Sequence, residues 1–481
     1  MLKRITAPFF LSIRSLVFCV AALLLLSSVS AIAAQTRSEP FVIGADISWV
    51  HQRENPNLPS NQGGSVQYMH NGQQMDMLDI LKENGFNYIR LRLFVDPTAE
   101  VPEDVEAGLG GGWRASPYSL RGYCGLDSTI KYAQKVRDAG FKFLLDFHYS
   151  DTWADPGKQY KPVSWRGLSF QQLTERVRSY TRESLEAFRD AGVLPDMVQV
   201  GNEVINGMIH PDGRNWASGG VGGWPSFARL VHAGMSGVRD VDTTILIMMH
   251  TVSERNPNGW LTSLKSNLNQ IETGFGDKID IFGISYYPRW HGDLDSLSRV
   301  LNTVANNHDI KISVVEYADL HREVNDIVFN LPDEKGFGTF VWEPQEFAGD
   351  DSRPLFTWRS GGGGINIRET NSLMTLYPQM AIDYGNDNAT AIGEKSTRPN
   401  LEQNRRPDFR IGHDGVIGYY SNAPGVVTIY NIQGRVVGRF DVKTPGAYNP
   451  ARLLGMRPGA YIIAIKPDNA PRQVFNYRVV R

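Results

Sequence analysis

The stretch Phe141–Phe147, FKFLLDF, leads directly into His148 and the run YSDTWADPG that ends at Gly157. Its apolar residues are nearly continuous, without the alternation expected of a strand that has one face in water. Such a run is typical of a parallel strand buried on both faces. The stretch therefore predicts a buried parallel strand with polar side chains, Asp146 and His148, at its carboxyl end.

Seven other stretches share this pattern, so eight strands are predicted in all. They are Phe41–Asp46, Asn87–Leu93, Phe141–Phe147, Asp196–Gly201, Ile245–His250, Ile279–Ser285, Lys311–Glu316 and Gly336–Trp342. Stretches with apolar residues at helical spacing separate them, for example Met75–Asn84, Leu126–Ala139, Gln171–Ala191 and Phe227–Arg239. Strand–helix alternation repeated eight times predicts a closed (β/α)₈ TIM barrel, an α/β fold.

A doubly wound open sheet is the alternative arrangement of alternating strands and helices. Nucleotide-binding sheets of that kind carry a G-x-G-x-x-G turn after the first strand. No such turn follows Asp46, and the glycine run Gly110–Gly112 lies in a long loop. A nucleotide site therefore lacks support, and no cofactor is expected.

The N-terminus has the three parts of a secretory signal peptide. A basic region ending at Arg14 precedes the apolar run Leu16–Leu26 and the small-residue run Ala31–Ala33. Residues 1–34 are predicted to be removed by cleavage near Ala33 or Ala34, which makes the mature protein secreted or attached to the cell surface. The apolar run is too short to span a membrane, so an integral membrane protein is not expected.

The character of the sequence changes after Tyr384. Residues 386–408 are rich in Asn, Asp, Thr, Arg and Pro and lack periodicity, which predicts a linker between a catalytic barrel (35–385) and a second domain (409–481). Short β-forming runs separated by turn residues predict a small, β-sandwich-like second domain. The runs are Gly425–Tyr430, Arg435–Val442, Gly459–Lys466 and Phe475–Arg481.

Length and composition restrict the class of protein further. A chain of 481 residues can hold a barrel of roughly 250–350 residues and a smaller domain. Its net charge of −2 argues against a nucleic-acid binder, because no basic stripe exists to neutralise phosphates. Aromatic residues make up 11% of the chain and fit either a large core or stacking platforms for sugar rings.

Two carboxylates at predicted strand ends can carry chemistry, because the reactive groups of such barrels lie at the carboxyl ends of the strands. Glu203 follows the fourth strand in the run MVQVGNE, and Glu316 ends the seventh strand in KISVVE. These strands face each other across the barrel mouth, and a carboxyl pair there is the arrangement of a glycosidase. A separation of about 5–5.5 Å would indicate retention of anomeric configuration, and about 6.5–9.5 Å inversion.

The neighbours of the two carboxylates bear on this interpretation. Glu203 alone could also be a helix N-terminal carboxylate or part of an ion pair, but Asn202 beside it can hydrogen-bond a sugar 2-hydroxyl. The approach to Glu316 is apolar, so a charge there is costly unless it is paired or functional. Arg90 and Arg92 share one face of the second strand, and an arginine that points into the mouth would lower the pKa of Glu316. An ion-pair layer in the barrel is the alternative role for both arginines.

Two other reactive residues have less specific surroundings. His148 lies two residues from Asp146 without an H-x-H or H-E-x-x-H partner, so we expect a hydrogen-bonding role and no metal site. Cys124 is the only cysteine left after signal-peptide removal, so no intramolecular disulfide is expected. No histidine stands beside it in the sequence, which indicates a small buried residue rather than a nucleophile.

Six segments carry a family resemblance. They are Ile89–Leu93 (IRLRL), Phe143–Gly157 (FLLDFHYSDTWADPG), Pro195–Gly207 (PDMVQVGNEVING), Gly283–Gly292 (GISYYPRWHG), Val314–Tyr317 (VVEY) and Trp342–Pro344 (WEP). In this order they resemble glycoside hydrolase family 53, the arabinogalactan endo-β-1,4-galactanases of clan A. The resemblance implies a (β/α)₈ barrel, retention of configuration and internal cleavage of β-1,4-linked galactose chains, as in the (arabino)galactan side chains of pectin.

The resemblance also implies roles for single residues. Glu203 is the expected acid/base and Glu316 the expected nucleophile, while Asn202 resembles the residue that holds the substrate 2-hydroxyl. Arg90 and Tyr287 resemble the arginine and tyrosine that contact the nucleophile in clan A. The other expected cleft residues are Trp342, as the platform under the sugar at subsite −1, and His148, Asp151, Trp153, Trp290 and His291.

One segment departs from the family pattern. Only 25 residues, 317–341, separate Glu316 from Trp342. Better-known members carry a longer excursion there, which in some bacterial members helps to bind calcium and shapes the far negative subsites. Calcium binding, chain-length preference and substrate identity are therefore open for this chain.

The C-terminal segment has a resemblance of its own. The runs VTIYNIQGRVV (427–437) and MRPGAYIIAI (456–465) and the basic terminus resemble the small β-domain that directs proteins through type IX secretion. A contact with export machinery through this domain is therefore expected.

Two other functions stay open on the sequence alone. Another clan A endo-glycosidase, acting on mannan or a β-glucan, would use the same carboxylates, and only cleft geometry at C4, axial in galactose, separates the substrates. A non-hydrolytic carbohydrate-binding barrel is the second alternative. It has no need of Asn202, Glu203 and Glu316 together, so the sequence argues against it.

Overall fold

The computed structural model describes residues 37–386, apart from residues 38, 59–62, 101, 103–121, 348–351 and 362–364, and seven strands after residue 408. The predicted signal peptide and residues 387–408 of the predicted linker lie outside the described residues. The chain divides into two compact units, Met1–Lys395 and Ser396–Arg481. Each unit is described by itself.

Eight parallel strands of the first unit close into a barrel in which each strand pairs with the next and the last pairs with the first. They are β1 (Val42–Asp46), β2 (Tyr88–Leu93), β3 (Lys142–Phe147), β4 (Met197–Val200), β5 (Leu246–Val252), β6 (Ile281–Ser285), β7 (Lys311–Tyr317) and β8 (Gly336–Trp342). All eight predicted strands are confirmed, with ends that differ by at most two residues. The fold is the predicted TIM barrel.

A helix follows each strand. These are α1 (Met77–Glu83), α2 (Leu126–Asp138), α3 (Phe170–Asp190), α4 (Trp224–Arg239), α5 (Pro257–Ile271), α6 (Leu294–Asn307), α7 (His321–Phe329) and α8 (Leu376–Asp383). Helix α1 begins later than predicted, because the Asp76 side chain accepts from the Leu78 amide and caps the helix there, which leaves Met75 outside it. None of the helices in the described residues has the length and hydropathy of a membrane span.

The strands are apolar on both faces because two separate cores bury them. In β3, Phe143, Leu145 and Phe147 pack outward against the helices, in the larger core. Leu144 points inward and belongs to a ring of apolar residues, one from each strand, inside the barrel. The next inward position along the strand is Asp146, so the interior changes from apolar to polar towards the carboxyl ends.

Further short elements lie in the loops that follow the strands. Val66–His70 and Gln73–Gln74, after β1, form one sheet with Phe356–Ser360 and Asn366–Thr370, after β8. The loop after β4 holds two small hairpins, Gly207–Met208 with Gly213–Arg214 and Ala217–Ser218 with Val221–Gly222. Short helices span Val50–Arg53 and Pro288–His291. The sequence did not predict these elements.

The described strands of the second unit form two antiparallel sheets. One has the order Val436–Val442, Gly425–Asn431, Gly459–Pro467 and Gln473–Val479, which matches the four predicted β-runs within a few residues. The other contains Phe409–Ile411, Ile417–Tyr419 and Gly446–Tyr448, which the sequence did not predict. Val427 and Ile429 are fully buried, so the central strand packs one face into a core.

Candidate active site

A cavity of about 520 Å³ opens at the carboxyl ends of the barrel strands. Nine of the residues expected from the sequence line it: Arg90, His148, Trp153, Asn202, Glu203, Tyr287, Trp290, Glu316 and Trp342. Its remaining lining residues are Asp46, Arg92, Ala154, Asp155, Lys158, Ala318 and Ser352. The barrel therefore brings together side chains that are up to about 300 residues apart in the sequence.

Arg90 is the centre of the polar layer at the bottom of this cavity. Its Nη1 donates to Asp46 (2.9 Å) and Glu316 (2.8 Å), and its Nη2 donates to Asp146 (2.9 Å) and Asn202 (2.8 Å). The side chain is 1% exposed, so these are buried, charge-assisted bonds. Arg90 thus fixes the carboxylate of Glu316 and the amide of Asn202 in one frame, as the sequence predicted for the nucleophile.

Glu316 lies at the end of β7 with two donors on its carboxylate. Arg90 binds Oε1, and the Tyr287 hydroxyl donates to Oε2 at 3.3 Å. The contacts predicted from the family resemblance are therefore present in the structure. One carboxylate oxygen faces a cation and the other a neutral hydroxyl, an arrangement that orients a nucleophile without blocking the cavity.

Glu203 follows β4 in a left-handed backbone conformation, with φ 47°. A non-glycine residue in that region stores backbone strain and persists only where the surrounding structure holds it. The Glu203 amide donates to His250 Nδ1 (3.3 Å), and the Ser285 hydroxyl hydrogen-bonds the Glu203 carboxyl. The turn points the carboxyl into the cavity, where it is partly exposed.

The surroundings of the two glutamates give them different proton affinities. Burial and the negative charge of Glu316 raise the pKa of Glu203 well above its ordinary value. Burial also raises the pKa of Glu316, and Arg90 limits that rise. Arg90 does lower the pKa of Glu316, as the sequence predicted, but burial and the charges of Asp46 and Asp146 outweigh its effect, so the net shift is upward. The pKa of Glu203 is the more strongly raised, so Glu203 is the member of the pair that holds a proton when the other is ionised.

Asn202 is held by the residues around it. Its Oδ1 accepts from Arg90 and from Gln199 Nε2 (3.1 Å), and its Nδ2 donates to the Ala154 carbonyl (2.8 Å). An amide nitrogen carries two N–H groups, so one of them is left for a sugar hydroxyl. Gln199, which also donates to Asp146 at 2.6 Å, was missed by the sequence reasoning because a single Gln inside a strand has no signature.

Aromatic rings form the wall of the cavity on the side of β2, β3 and β8. Trp153 and Trp342 meet with ring centroids 6.2 Å apart, and the Arg92 guanidinium lies 3.9 Å from the Trp153 ring. Arg92 is held from behind by Asp46 and by Glu343, the residue after Trp342. These contacts set the orientation of two indole rings that can stack on sugars.

His148, Asp151 and His291 have structural partners. His148 Nε2 lies 3.0 Å from Asp146, and its Nδ1 accepts from the Ala154 amide, which agrees with the expected hydrogen-bonding role. Asp151 is not part of the cavity lining, because its carboxylate accepts from the amides of Asp96 and Val163 and anchors the loop. His291 is also outside the lining, and its Nδ1 accepts from the Tyr287 amide at 3.0 Å. Both act on the cavity only through the loops that they hold.

No group of three or more His, Cys, Asp or Glu side chains within the described residues is arranged to hold a metal ion. Cys124 is buried, and burial raises the pKa of its thiol to about 12, so it is no nucleophile at neutral pH.

A barrel with a fixed carboxylate at the end of β7 and, just after β4, a carboxyl with a strongly raised pKa has the parts of a glycoside hydrolase. Residues 42–326 match the sequence profile described as Glycosyl hydrolase family 53, and the chain belongs to this family. The matched segment contains strands β1–β7 and both glutamates, and the last strand, β8, follows it.

Named relatives agree with this assignment. The chain is 32% identical over 279 residues to "Endo-beta-1,4-galactanase" of Bacillus subtilis, a match that covers 58% of this chain and 57% of that protein. It is 30% identical over 306 residues to "Arabinogalactan endo-beta-1,4-galactanase" of Humicola insolens, covering 57% of this chain and 82% of that protein. The solved "Ignisphaera aggregans GH53 catalytic domain" is 28% identical with a TM-score of 0.55, covering 71% of this chain and 97% of that one.

Proposed function

We propose that the protein is an endo-β-1,4-galactanase that acts outside the cell on galactan or arabinogalactan and retains the anomeric configuration. The observation that carries this proposal is the Glu203–Glu316 pair, in which one carboxyl is bound by Arg90 and the other has a strongly raised pKa. The galactanase names of the relatives supply the substrate class.

The mechanism follows from the partners of each glutamate. Glu316 attacks the anomeric carbon of the sugar at subsite −1 while Glu203 gives its proton to the leaving glycosidic oxygen, so a covalent glycosyl-enzyme forms and the leaving chain departs. Glu203, now ionised, then takes a proton from water, and the hydroxide attacks the same carbon and releases Glu316. Two inversions at one carbon retain its configuration.

The other cavity residues have supporting roles in this proposal. Arg90 and Tyr287 hold the Glu316 carboxylate in line for attack. Asn202 offers an N–H to the sugar 2-hydroxyl, a bond that strengthens as charge develops in the transition state. Trp342, with Trp153 against it, provides the ring face under the sugar.

Secretion and the role of the C-terminal domain in export are proposed from the sequence. The predicted signal peptide of residues 1–34 supports secretion, since polysaccharide substrates lie outside the cell. The C-terminal domain is proposed to engage export machinery, on its resemblance to type IX sorting domains.

Reducing-sugar release on four polysaccharides tests the proposed substrate. We expect turnover on potato galactan and at least about 100-fold less on mannan, cellulose and xylan, because a buried polar site rejects sugars that leave its groups unpaired. Glu203→Gln, which keeps the shape but cannot donate a proton, is the control for contaminating activity. Greater activity on mannan or a β-glucan would replace galactan as the substrate, and activity on none of them would favour the non-hydrolytic barrel.

The pH dependence of kcat/KM should be bell-shaped, with each limb assigned to one glutamate. Activity falls in acid as Glu316 becomes protonated, and its raised pKa places this limb above the pH at which an ordinary glutamate titrates. Activity falls in alkali as Glu203 ionises, and its more strongly raised pKa leaves a window between the limbs. The two apparent values belong to the coupled pair.

Glu203→Ala on an activated aryl galactoside checks this assignment. Formation of the glycosyl-enzyme then needs little acid help, so the variant should keep most of that step and lose its alkaline limb. An unchanged alkaline limb in pre-steady-state measurements would mean that another carboxyl is the acid.

A further inference from the structure

The loop after β3 contains an ion pair that the mechanism above does not use. Asp155 and Lys158 both line the cavity, and Lys158 Nζ donates to Asp155 Oδ2 at 3.0 Å. Their side chains are 36% and 38% exposed, so the pair is accessible from the cavity. The backbone of the same two residues forms a two-way bridge, with both N–H···O distances 3.0 Å. The Asp155 Oδ1 accepts from the Gly157 amide (2.8 Å), which closes a tight turn.

Hydrogen bonds tie this turn to the segment that carries Glu203. The Asn202 side chain donates to the Ala154 carbonyl and the Asn206 side chain to the Pro156 carbonyl, each at 2.8 Å. In the opposite direction, Gln159 Nε2 donates to the Asn202 carbonyl at 2.8 Å. The same nitrogen donates to the Asp155 carbonyl within the turn, at 3.1 Å. Donors from both segments thus hold the turn and the end of β4 in one rigid unit, which fixes the ion pair relative to Glu203.

Successive residues of this loop contact different parts of the site. Trp153 contacts Arg92 and Trp342, on the side of the cavity that carries the sugar platform. Two residues later, Asp155 is close enough to Glu203 for its negative charge to contribute to the raised pKa of that carboxyl. An acid that protonates the glycosidic oxygen stands between the sugar at subsite −1 and the leaving sugar. A group that lies beside Glu203, as Asp155 does, is therefore within reach of the leaving sugar.

We propose that Asp155 and Lys158 form the polar wall of subsite +1, where they bind hydroxyl groups of the leaving galactose. This inference rests on the proposed function. The turn uses Asp155 Oδ1, whereas Oδ2 and the ammonium group of Lys158 are not needed for it. An ammonium group has three N–H donors and the ion pair uses one, so the pair offers both an acceptor and donors to a sugar hydroxyl. A hydrogen bond to a charged partner discriminates strongly in favour of a substrate that supplies the hydroxyl.

The test compares substrates with and without a sugar in that subsite. Asp155→Asn keeps the acceptor for the Gly157 amide but removes the charge, and Lys158→Met keeps the length of the side chain but removes the donors. We measure kcat/KM on β-1,4-galactan and on a 2,4-dinitrophenyl β-1,4-galactobioside, whose aryl group replaces the leaving sugar and needs no protonation. For each variant the ratio of galactan to aryl activity should fall about tenfold or more, as expected for loss of a charged hydrogen-bond partner.

A second readout and a control complete the experiment. The charges of Glu316 and Asp155 raise the pKa of Glu203 and that of Arg90 lowers it, while Lys158 lies against Asp155. Removal of the Asp155 charge alone should move the alkaline limb of kcat/KM on galactan to lower pH. The matched control is Asp277→Asn, which removes the partner of Lys265 (2.8 Å) just before β6, at the opposite end of the barrel, and should leave the ratio unchanged.

Equal losses on both substrates, or no loss on either, would overturn the assignment of subsite +1 while leaving the galactanase intact. If the wild-type protein cleaves the aryl galactobioside but not galactan, the proposed polysaccharide substrate and this subsite both fail.

Discussion

Glu316→Ala should lower kcat/KM on galactan by about 10⁴-fold or more, because a group that forms the covalent intermediate cannot be replaced by the residues around it. The variant also leaves a space beside Arg90 Nη1, which in the wild-type protein donates to Glu316 at 2.8 Å. A small anion can occupy that space. Azide should therefore restore turnover of an activated aryl galactoside and yield a galactosyl azide of inverted configuration.

The outcome of this experiment depends on which carboxyl is the nucleophile. Glu343→Gln is a suitable comparison, because Glu343 is also a buried carboxyl paired with an arginine, but it lies outside the cavity lining. Azide should have no effect on that variant. Near wild-type activity of Glu316→Ala, or an azide product of retained configuration, would exclude Glu316 as the nucleophile.

Arg90→Met should impair both stability and catalysis. The substitution leaves Asp46, Asp146 and Glu316 without the cation that they share, and their side chains are 1%, 0% and 9% exposed. Removal of one partner from a buried ion pair costs about 3–5 kcal/mol of the free energy of unfolding. Activity should fall by at least about 100-fold, since Glu316 and Asn202 both lose the donor that positions them.

The loss of stability in Arg90→Met should depend on pH in a definite direction. Arg90 lowers the pKa of both Asp46 and Glu316, so both values rise in the folded variant. The variant therefore gains from protonation of these carboxyls, and its deficit shrinks as the pH falls. Urea unfolding at pH 5 and pH 8 should therefore show the larger loss at pH 8. Arg178→Met is the control, because Arg178 pairs with Asp240 at the surface and such pairs contribute about 0–1 kcal/mol. If both variants lost the same free energy of unfolding, Arg90 would contribute no more than a surface ion pair, which would contradict the prediction.

Much of the barrel could be predicted because its strands lie between two cores. The run FKFLLDF of β3 is continuous since its outward residues pack on helices while Leu144 packs inside the barrel. The same two-residue period placed Arg90 and Arg92 on one face, and both do bond Asp46 from inside the barrel. Strand-end position therefore identified Glu203, with Asn202 beside it, and Glu316 as candidates, and the family resemblance added the contact of Tyr287 with the nucleophile.

The sequence could not show which loop residues face the cavity. Asp151 and His291 stand within motifs that reach the cavity, but their side chains turn to backbone amides of their own or neighbouring loops. Asp155 and Lys158 lie in the same motif as Asp151 and do line the cavity. A loop has no fixed period, so sequence order cannot say which of its side chains faces the site.

The net rise of the Glu316 pKa could not be predicted for a similar reason. The sequence shows that an arginine can reach the carboxylate, but not that two aspartates share the same guanidinium. Competition among Glu316, Asp46 and Asp146 for Arg90 is a property of the folded interior.

Trapping the covalent intermediate tests the central claim most directly. A 2-deoxy-2-fluoro aryl β-galactobioside slows both steps but retains a good leaving group, so the glycosyl-enzyme accumulates. Mass spectrometry of the intact protein should show the addition of one fluorinated galactobiosyl group, that is, one disaccharide per protein. The labelled peptide should carry this group on Glu316. A label on any other residue would contradict the assignment of Glu316 as nucleophile and Glu203 as acid/base. So would continued turnover of the reagent with no labelled protein.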